Sequence, residues 1–363
     1  MADYVYTAYD LRTNVPIADL PLSRVTWSRQ LNEDGELTAT LSPAAAAGRA
    51  DLSSVLPGRT AIYVRRDGQY MAGYFLTAPF HRTPAGVEIT SGSCRGLLSY
   101  FSFRRLASTL VYTQVDQLQI ARNLVTAVDA AGNIGLETEA AVMSTVLRDR
   151  TYAGSELKDV REALLQLAAV DDGFDLAVDV ETGPTGDPRR ILRLSYPRRG
   201  RTVADSGLTL EYPGNVLDYD WAGGQTPPLT TVYGIGTGDG ETALRATATN
   251  PALLAAGWPV LEGDLSLTDV SLQVTLDSHV RAAADAAAGT IATPGLSVTA
   301  DDPPLGSYLE GDDVRLRILD DAFGGPGPVD IDVTGRLTGY TVSVSDDGQE
   351  QVQMTLDALI VPL

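Results

Sequence analysis

The chain has 363 residues, 44% of them hydrophobic, which is enough for two or three domains with buried cores and too apolar for general disorder. Its 47 acidic residues against 27 basic ones give a formal net charge of −20, so it is a poor candidate for gripping DNA through phosphates. Such acidity commonly serves solubility; its other meaning is a surface that nucleic acid passes without sticking. Lys158 is the only lysine, a bias that points to a GC-rich genome. Cys94 stands alone, so no internal disulfide can form and nothing indicates an oxidising compartment. No apolar run approaches the ~18 residues of a membrane span. The opening Met-Ala-Asp-Tyr lacks the basic-then-apolar pattern of a secretory signal. Assembly in a bacterial cytoplasm is expected.

Residues 1 to about 100 read as β. Val25, Trp27, Arg29 and Leu31 share one face at period two. Leu37, Ala39 and Leu41 do the same on a return strand, and Asn32-Glu33-Asp34-Gly35 supplies a tight turn with Gly35 expected near positive φ. Trp27 is expected in the core. Ala44 to Gly48 suggests a short helical turn. Ile62 and Val64, the Asp67-Gly68 turn, and Met71, Gly73 and Phe75 predict a second hairpin, and Val87 to Thr90 a further strand. Short strands at this spacing suggest a barrel or sandwich.

From Gln114 the period becomes helical: Val115, Leu118, Ala121, Leu124, Val125 and Val128, with Gly132 as the stop. A second helix is predicted over 155–170, capped by Ser155 and broken at Asp172-Gly173. Phe174, Leu176, Val178 and Val180 alternate as a strand, with Ile191 to Leu194 as partner. After about residue 207 the chain returns to β at Leu208–Leu210 and Val232–Gly234. Thr275 to Ala288 reads as a helix ended by Gly289. Val314, Leu316 and Ile318 form a strand, and a last hairpin turns at Asp346-Asp347-Gly348.

The first hairpin, with Trp27, Leu31-Asn32-x-x-Gly35 and Thr40-Leu41, resembles the opening of tail hub proteins of long-tailed bacteriophages, of the actinobacterial siphophage type. Further landmarks follow in the family's order. They are Asp116–Asn123 with Gly132–Leu136, and Arg148–Tyr152 with a helix and then Asp172-Gly173-Phe174-Asp175. Trp258–Glu262 and Gly311-Asp312-Asp313-Val314 complete the set. The expected fold is mainly β with an α+β insertion. Residues 1–100 form a first β-barrel tube domain, 101–206 an α+β domain, and 207–363 a second tube domain carrying one helix. The resemblance implies a homotrimer with a pseudo-sixfold ring that joins the tail tube or distal tail ring to tip or fibre proteins. Such a ring lines a channel that holds a tape measure protein and that DNA crosses without specific binding. Its place is the virion tail tip, with no membrane insertion. Relatives often carry fibre or peptidoglycan-cleaving extensions; this chain stops at Leu363, so no such enzyme is expected.

Candidate chemistry is sparse. His81 and His279 are the only histidines, and no zinc spacing or nucleophile elbow occurs. Gly234 to Gly240 lacks the Gly-Lys-Ser/Thr of a phosphate loop and reads as a turn between strands. No catalytic, metal or cofactor residue is predicted. The rival reading is a β-rich cell-wall glycan-binding protein or glycoside hydrolase, which needs two carboxylates across a cleft. With 6 Phe and 3 Trp, the chain is short of sugar-stacking surface. The one basic concentration is Arg189, Arg190, Arg193, Arg198, Arg199 and Arg201, a candidate contact with an acidic neighbour. The channel wall is expected to carry more Asp and Glu than Arg.

Overall fold

The structure, a computed structural model, describes residues 2–41, 52–83, 86–129, 133–139, 142–220, 227–287, 291–292, 295–320, 329–357 and 359–360. The expected turn at 44–48, the stops Gly132 and Gly289, and the terminal Pro362-Leu363 lie outside the described residues. The chain is mainly β with an α+β insertion, as its alternation predicts.

Two large sheets enclose the main core. One has five strands in the order Pro16–Asp19, Tyr4–Asp10, Thr60–Arg66, Gln69–Leu76 and Cys94–Gly96. The other has ten, with Leu22–Gln30 and Leu37–Leu41 at its centre. There Leu22–Gln30 pairs antiparallel with Val329–Val344, setting Val342 opposite Trp27 and Val344 opposite Val25. The first and last thirds of the chain therefore share a sheet, and they share a core that includes Trp27, Leu37, Tyr74, Leu316, Tyr340 and Met354. Trp27 is 0% exposed and stands edge-on to Tyr340, ring centroids 6.0 Å apart.

The second predicted hairpin forms over Thr60–Arg66 and Gln69–Leu76. Asp67 and Gly68 both take positive φ, 49° and 82°, as a two-residue hairpin loop requires. Its run Ala61-Ile62-Tyr63-Val64 is continuously apolar because both faces are covered. Ile62 and Val64 join the main core, while Ala61 and Tyr63 face Ile134 and Val180 of the α+β unit.

In that unit the first helix spans Gln117–Ala127. Val115, expected on the helix, lies instead in the strand Leu110–Asp116, because the Asp116 side chain accepts from the backbone N–H groups of Leu118 and Gln119 and starts the helix there. The second helix spans Val160–Ala168, with Asp159 rather than Ser155 as its cap. Leu157 takes φ 47°, which separates the short turn at Gly154–Glu156 from the helix proper. The strands Asp175–Thr182 and Pro188–Ser195 pair as predicted, and Leu136–Thr138 adds in parallel.

Residues 231–286 form a small unit of their own within the expected 207–363 domain. Its sheet runs Arg245–Thr249, Thr231–Ile235, Glu262–Ser266. The helix Gln273–Ala286 packs on it through Leu276, Val280 and Ala284. Gly234 belongs there because an added Cβ would meet Val280 at 2.1 Å.

Gly35 lies outside the left-handed region, contrary to expectation, and Asn32 carries the positive φ of 58°. Gly35 is needed for a different reason: a Cβ there would sit 1.9 Å from the Ser28 carbonyl oxygen. The Trp27 indole N–H has no partner among the described residues, so apolar packing holds that side chain. Trp27→Ala is expected to cost roughly 3–5 kcal/mol, the range for a buried aromatic. Urea denaturation of the full chain measures this, and an unchanged midpoint would mean the residue is not central to the core.

Candidate functional site

Arg29 breaks the apolar face of its strand. It follows Val25 and Trp27 at period two and so points inward, where a charge needs partners. Its Nε donates to Glu310 Oε2 at 3.0 Å, its Nη2 to Glu310 Oε1 at 2.8 Å, and its Nη1 to the Met71 carbonyl at 3.0 Å. Nη2 also bonds Asp179. Asp179 in turn accepts from Arg199 Nη2 at 2.9 and 3.0 Å. Arg199 lies 3.1 Å from Glu310, whose side chain is 1% exposed. Two guanidiniums and two carboxylates thus close a ring at the point where the N-terminal strands, the α+β unit and the C-terminal third meet.

A second layer surrounds it. Asn32 donates to Asp175 at 2.8 Å and accepts from the Leu176 N–H at 2.8 Å. Asp175 also accepts from the Arg199 N–H at 2.7 Å and from Arg336. Asp312, fully buried, takes the Arg201 N–H at 2.7 Å, Arg201 Nη2 at 2.6 Å and the Leu309 N–H at 3.1 Å. At Gly311 the φ is +103°, and a Cβ would lie 2.6 Å from the Arg199 carbonyl oxygen. Gly173 lets the chain turn out of its helix, donating to the Val170 carbonyl at 2.8 Å, and Phe174 enters the core of the α+β unit. Leu31 donates to the Thr338 carbonyl at 2.8 Å, and Leu41 is buried. Asn32, Gly173, Phe174, Asp175 and Arg336 also line an open depression of about 380 Å³ at this junction. Asn32, Gly173, Phe174, Gly311 and Asp312, singled out in the sequence, are therefore pieces of one joint.

The arginine cluster is engaged within the chain itself. Arg190 is 1% exposed and donates to Tyr63, Asn14 and the carbonyls of Leu11 and Ile134. Arg198 grips Asp313 through two bonds of 2.7 and 2.5 Å. Arg189 bonds Glu137, and Arg193 bonds Glu139 and Glu181. Arg199 and Arg201 hold Asp179 and Asp312 as described. The sequence reading missed Arg29, Asp179, Glu310 and Arg336. The signal available for Arg29 was its place on an otherwise apolar strand face.

Elsewhere, His279 lines a cleft of about 340 Å³ with Arg150, Lys158, Gln166 and Asp269. Burial, and then the nearby Arg150, lower its pKa. His81 is exposed on the short strand His81–Thr83. Gly236–Gly240 connects two strands of the small unit, with only a single turn at Gly240–Thr242. Among the described residues no group of three or more His, Cys, Asp or Glu is placed to hold a metal ion.

Burial alone would raise the Asp179 pKa, but Arg29 and Arg199 outweigh it and hold the carboxyl at about 2. A lowered carboxyl pKa gives stability that is complete above the unfolded value and lost as pH falls through the folded one. The Asp179 contribution should therefore disappear between about pH 4 and pH 2. Asp179→Asn, which leaves two buried guanidiniums short of charge, should cost about 3–5 kcal/mol at neutral pH. It should also flatten the loss of stability in that acid window. Urea titrations of both proteins across pH measure this, and parallel curves would detach the acid response from Asp179.

No family model matches the chain, and no curated protein matches it. Solved structures do. The 43 kDa tail protein of prophage MuSo2 from Shewanella oneidensis has a TM-score of 0.60 at 12% identity, with 98% of each chain covered. The tail protein of Neisseria meningitidis MC58 has a TM-score of 0.57 at 14% identity, over 97% of this chain and 96% of that one. The prophage tail protein gp18 of Listeria monocytogenes EGD-e has a TM-score of 0.54 at 12% identity, over 97% and 94%. At such identities the likeness establishes a shared fold, and it extends over nearly the whole of each chain.

Proposed function

We propose that this chain is a structural component of a phage tail, the hub of its tip. It forms a homotrimeric, pseudo-sixfold ring between the tail tube or distal tail ring and the tip or fibre proteins. The observation that carries this reading is the end-to-end likeness to three tail proteins. The joint described above supports it, since a ring component must hold its parts at fixed angles under load. Its work is mechanical: three copies enclose a channel, DNA crosses it without specific binding, and a tape measure protein occupies it before that. The more exposed members of the arginine cluster, Arg189, Arg198 and Arg201, are paired with Glu137, Asp313 and Asp312 yet still reach the surface, and we place them at such ring contacts.

Native mass spectrometry of the chain with its neighbouring ring protein should show three copies. A dimer or a sixfold homomer in the particle would remove this architecture. Incubation with peptidoglycan should release no sugars or peptides above a heat-treated control. Release that one Asp or Glu substitution abolishes would favour the hydrolase reading instead.

A further inference from the structure

The ten-stranded sheet has one face in the main core and one turned outward. Two adjacent rows of the outward face are uniform in character. Across one row the registered residues are Ser297, Gln353, Thr341 and Ser28. Across the next they are Thr299, Gln351, Ser343, Thr26 and Thr38. Their neighbours along each strand, such as Leu296, Val342, Val352 and Trp27, are buried on the opposite face. The side chains of these rows are hydroxyls and amides: Ser343, Gln351 and Gln353 are exposed, the threonines are half-buried, and Ser28 and Ser297 are buried beneath their neighbours. They bond one another, Thr26 lying 3.3 Å from Ser343 and Gln351 donating to Ser297 at 2.9 Å. Among the described residues the charges lie around the margin, with Asp218 at one end of the first row, Asp34, Glu36 and Arg95 around a groove of about 280 Å³ at the other, and Glu88 opposite Thr40 beyond the second row. In a chain of net charge −20, this is a charge-free field across five adjacent strands.

Protein interface cores are enriched in aromatic residues, Met and Arg, and their strongest anchors are Trp, Tyr and Arg. Neither row offers any of these, so the face is poorly made to bind a protein. Duplex DNA is held by counterion release when a surface presents Lys or Arg, and is repelled by a carboxylate wall. A hydroxyl and amide face does neither, and it keeps its own water.

We infer that this neutral face, rather than an acidic one, is turned to the channel and is the surface past which duplex DNA slides. The inference rests on the hub reading and replaces the expected acidic wall with an uncharged one.

The test uses particles assembled with the full chain. The variant Thr26→Arg, Thr341→Arg, Gln353→Arg places cations on the face. A control, Thr247→Arg, Thr249→Arg, Ser266→Arg, places the same number on the exposed face of the small sheet. A neutral variant, Thr341→Ser, Gln353→Asn, checks tolerance. Three added phosphate contacts steepen the salt dependence of binding by about 2.7 in log–log slope, roughly fortyfold between 50 and 200 mM salt. The face variant should assemble normally and release DNA at least about tenfold more slowly at the lower salt, with recovery at the higher. The control and neutral variants should release it like wild type. Unchanged release from the face variant would overturn the inference. So would failure of that variant to build tails while the free protein still folds, because the face would then be a protein contact. A reconstruction showing the ring with this face outward would overturn the inference and leave the hub reading standing, whereas the absence of any ring around a channel would remove both.

Discussion

The buried ring of Arg29, Glu310, Asp179 and Arg199 is the constraint on which the architecture turns. Each charge has left water, at a cost of several kcal/mol per ion even after relaxation. That cost is offset only where the geometry is good, and here the carboxylates are shared between two guanidiniums and Arg29 Nη1 finds the Met71 carbonyl, while Arg199 Nε is buried without a partner among the described residues. Such a ring tolerates little displacement of its members. Arg29 comes from an N-terminal strand of the ten-stranded sheet, Asp179 from the α+β unit, and Glu310 from the last third, so no part can rotate without exposing an unpaired charge. Apolar packing would stabilise the same joint without setting its angle. The Asn32–Asp175 and Arg201–Asp312 bonds around the ring extend the same control to the backbone.

Much of the fold was legible because alternation and helical period are local signals. The hairpins at Leu22–Leu41 and Thr60–Leu76, the strand pair after Phe174 and the helix of the last third all stand where the pattern put them. The errors have local causes too. Ser155 is a sound cap by type, but the chain takes a left-handed turn at Leu157, and Asp159 then captures the N–H of Glu162. What the sequence could not express is long-range pairing. Nothing in Leu22–Gln30 announces that its partner is Val329–Val344, since both strands are equally able to pair with their own hairpin neighbours. The joint was hidden for the same reason. Its residues were visible as isolated curiosities, a charged residue on an apolar face or a Gly-Asp pair, and became a site only when the topology brought them together.

The arginine cluster shows how much of a basic run the chain's own carboxylates and carbonyls can take up. Six arginines within Arg189–Arg201 look like a surface waiting for an acidic partner. In the fold their partners are the chain's own carboxylates and carbonyls, and Arg190 is wholly buried. The guanidinium suits this because it offers five donors in a planar fork and stays charged when desolvated. The bias towards arginine over lysine therefore has a structural use, whatever its origin in base composition.

That use bears on the surface. A chain with 27 basic and 47 acidic residues that commits many of its cations to internal pairs leaves its carboxylate surplus outside. Against this background an uncharged patch has to be built, and the outward face of the ten-stranded sheet builds it with Thr, Ser and Gln at alternate positions of successive strands. The same alternation that buries Trp27 and Val342 presents Thr26 and Thr341. Core and neutral face are thus two readings of one periodicity, and a register slip of one residue would exchange them. The glycine approach at Gly35 fixes that register where the central hairpin turns, and the bulge between Ser23 and Thr26 resets it towards the open end of the strand pair. The first hairpin is therefore also what keeps this one face of the sheet uncharged.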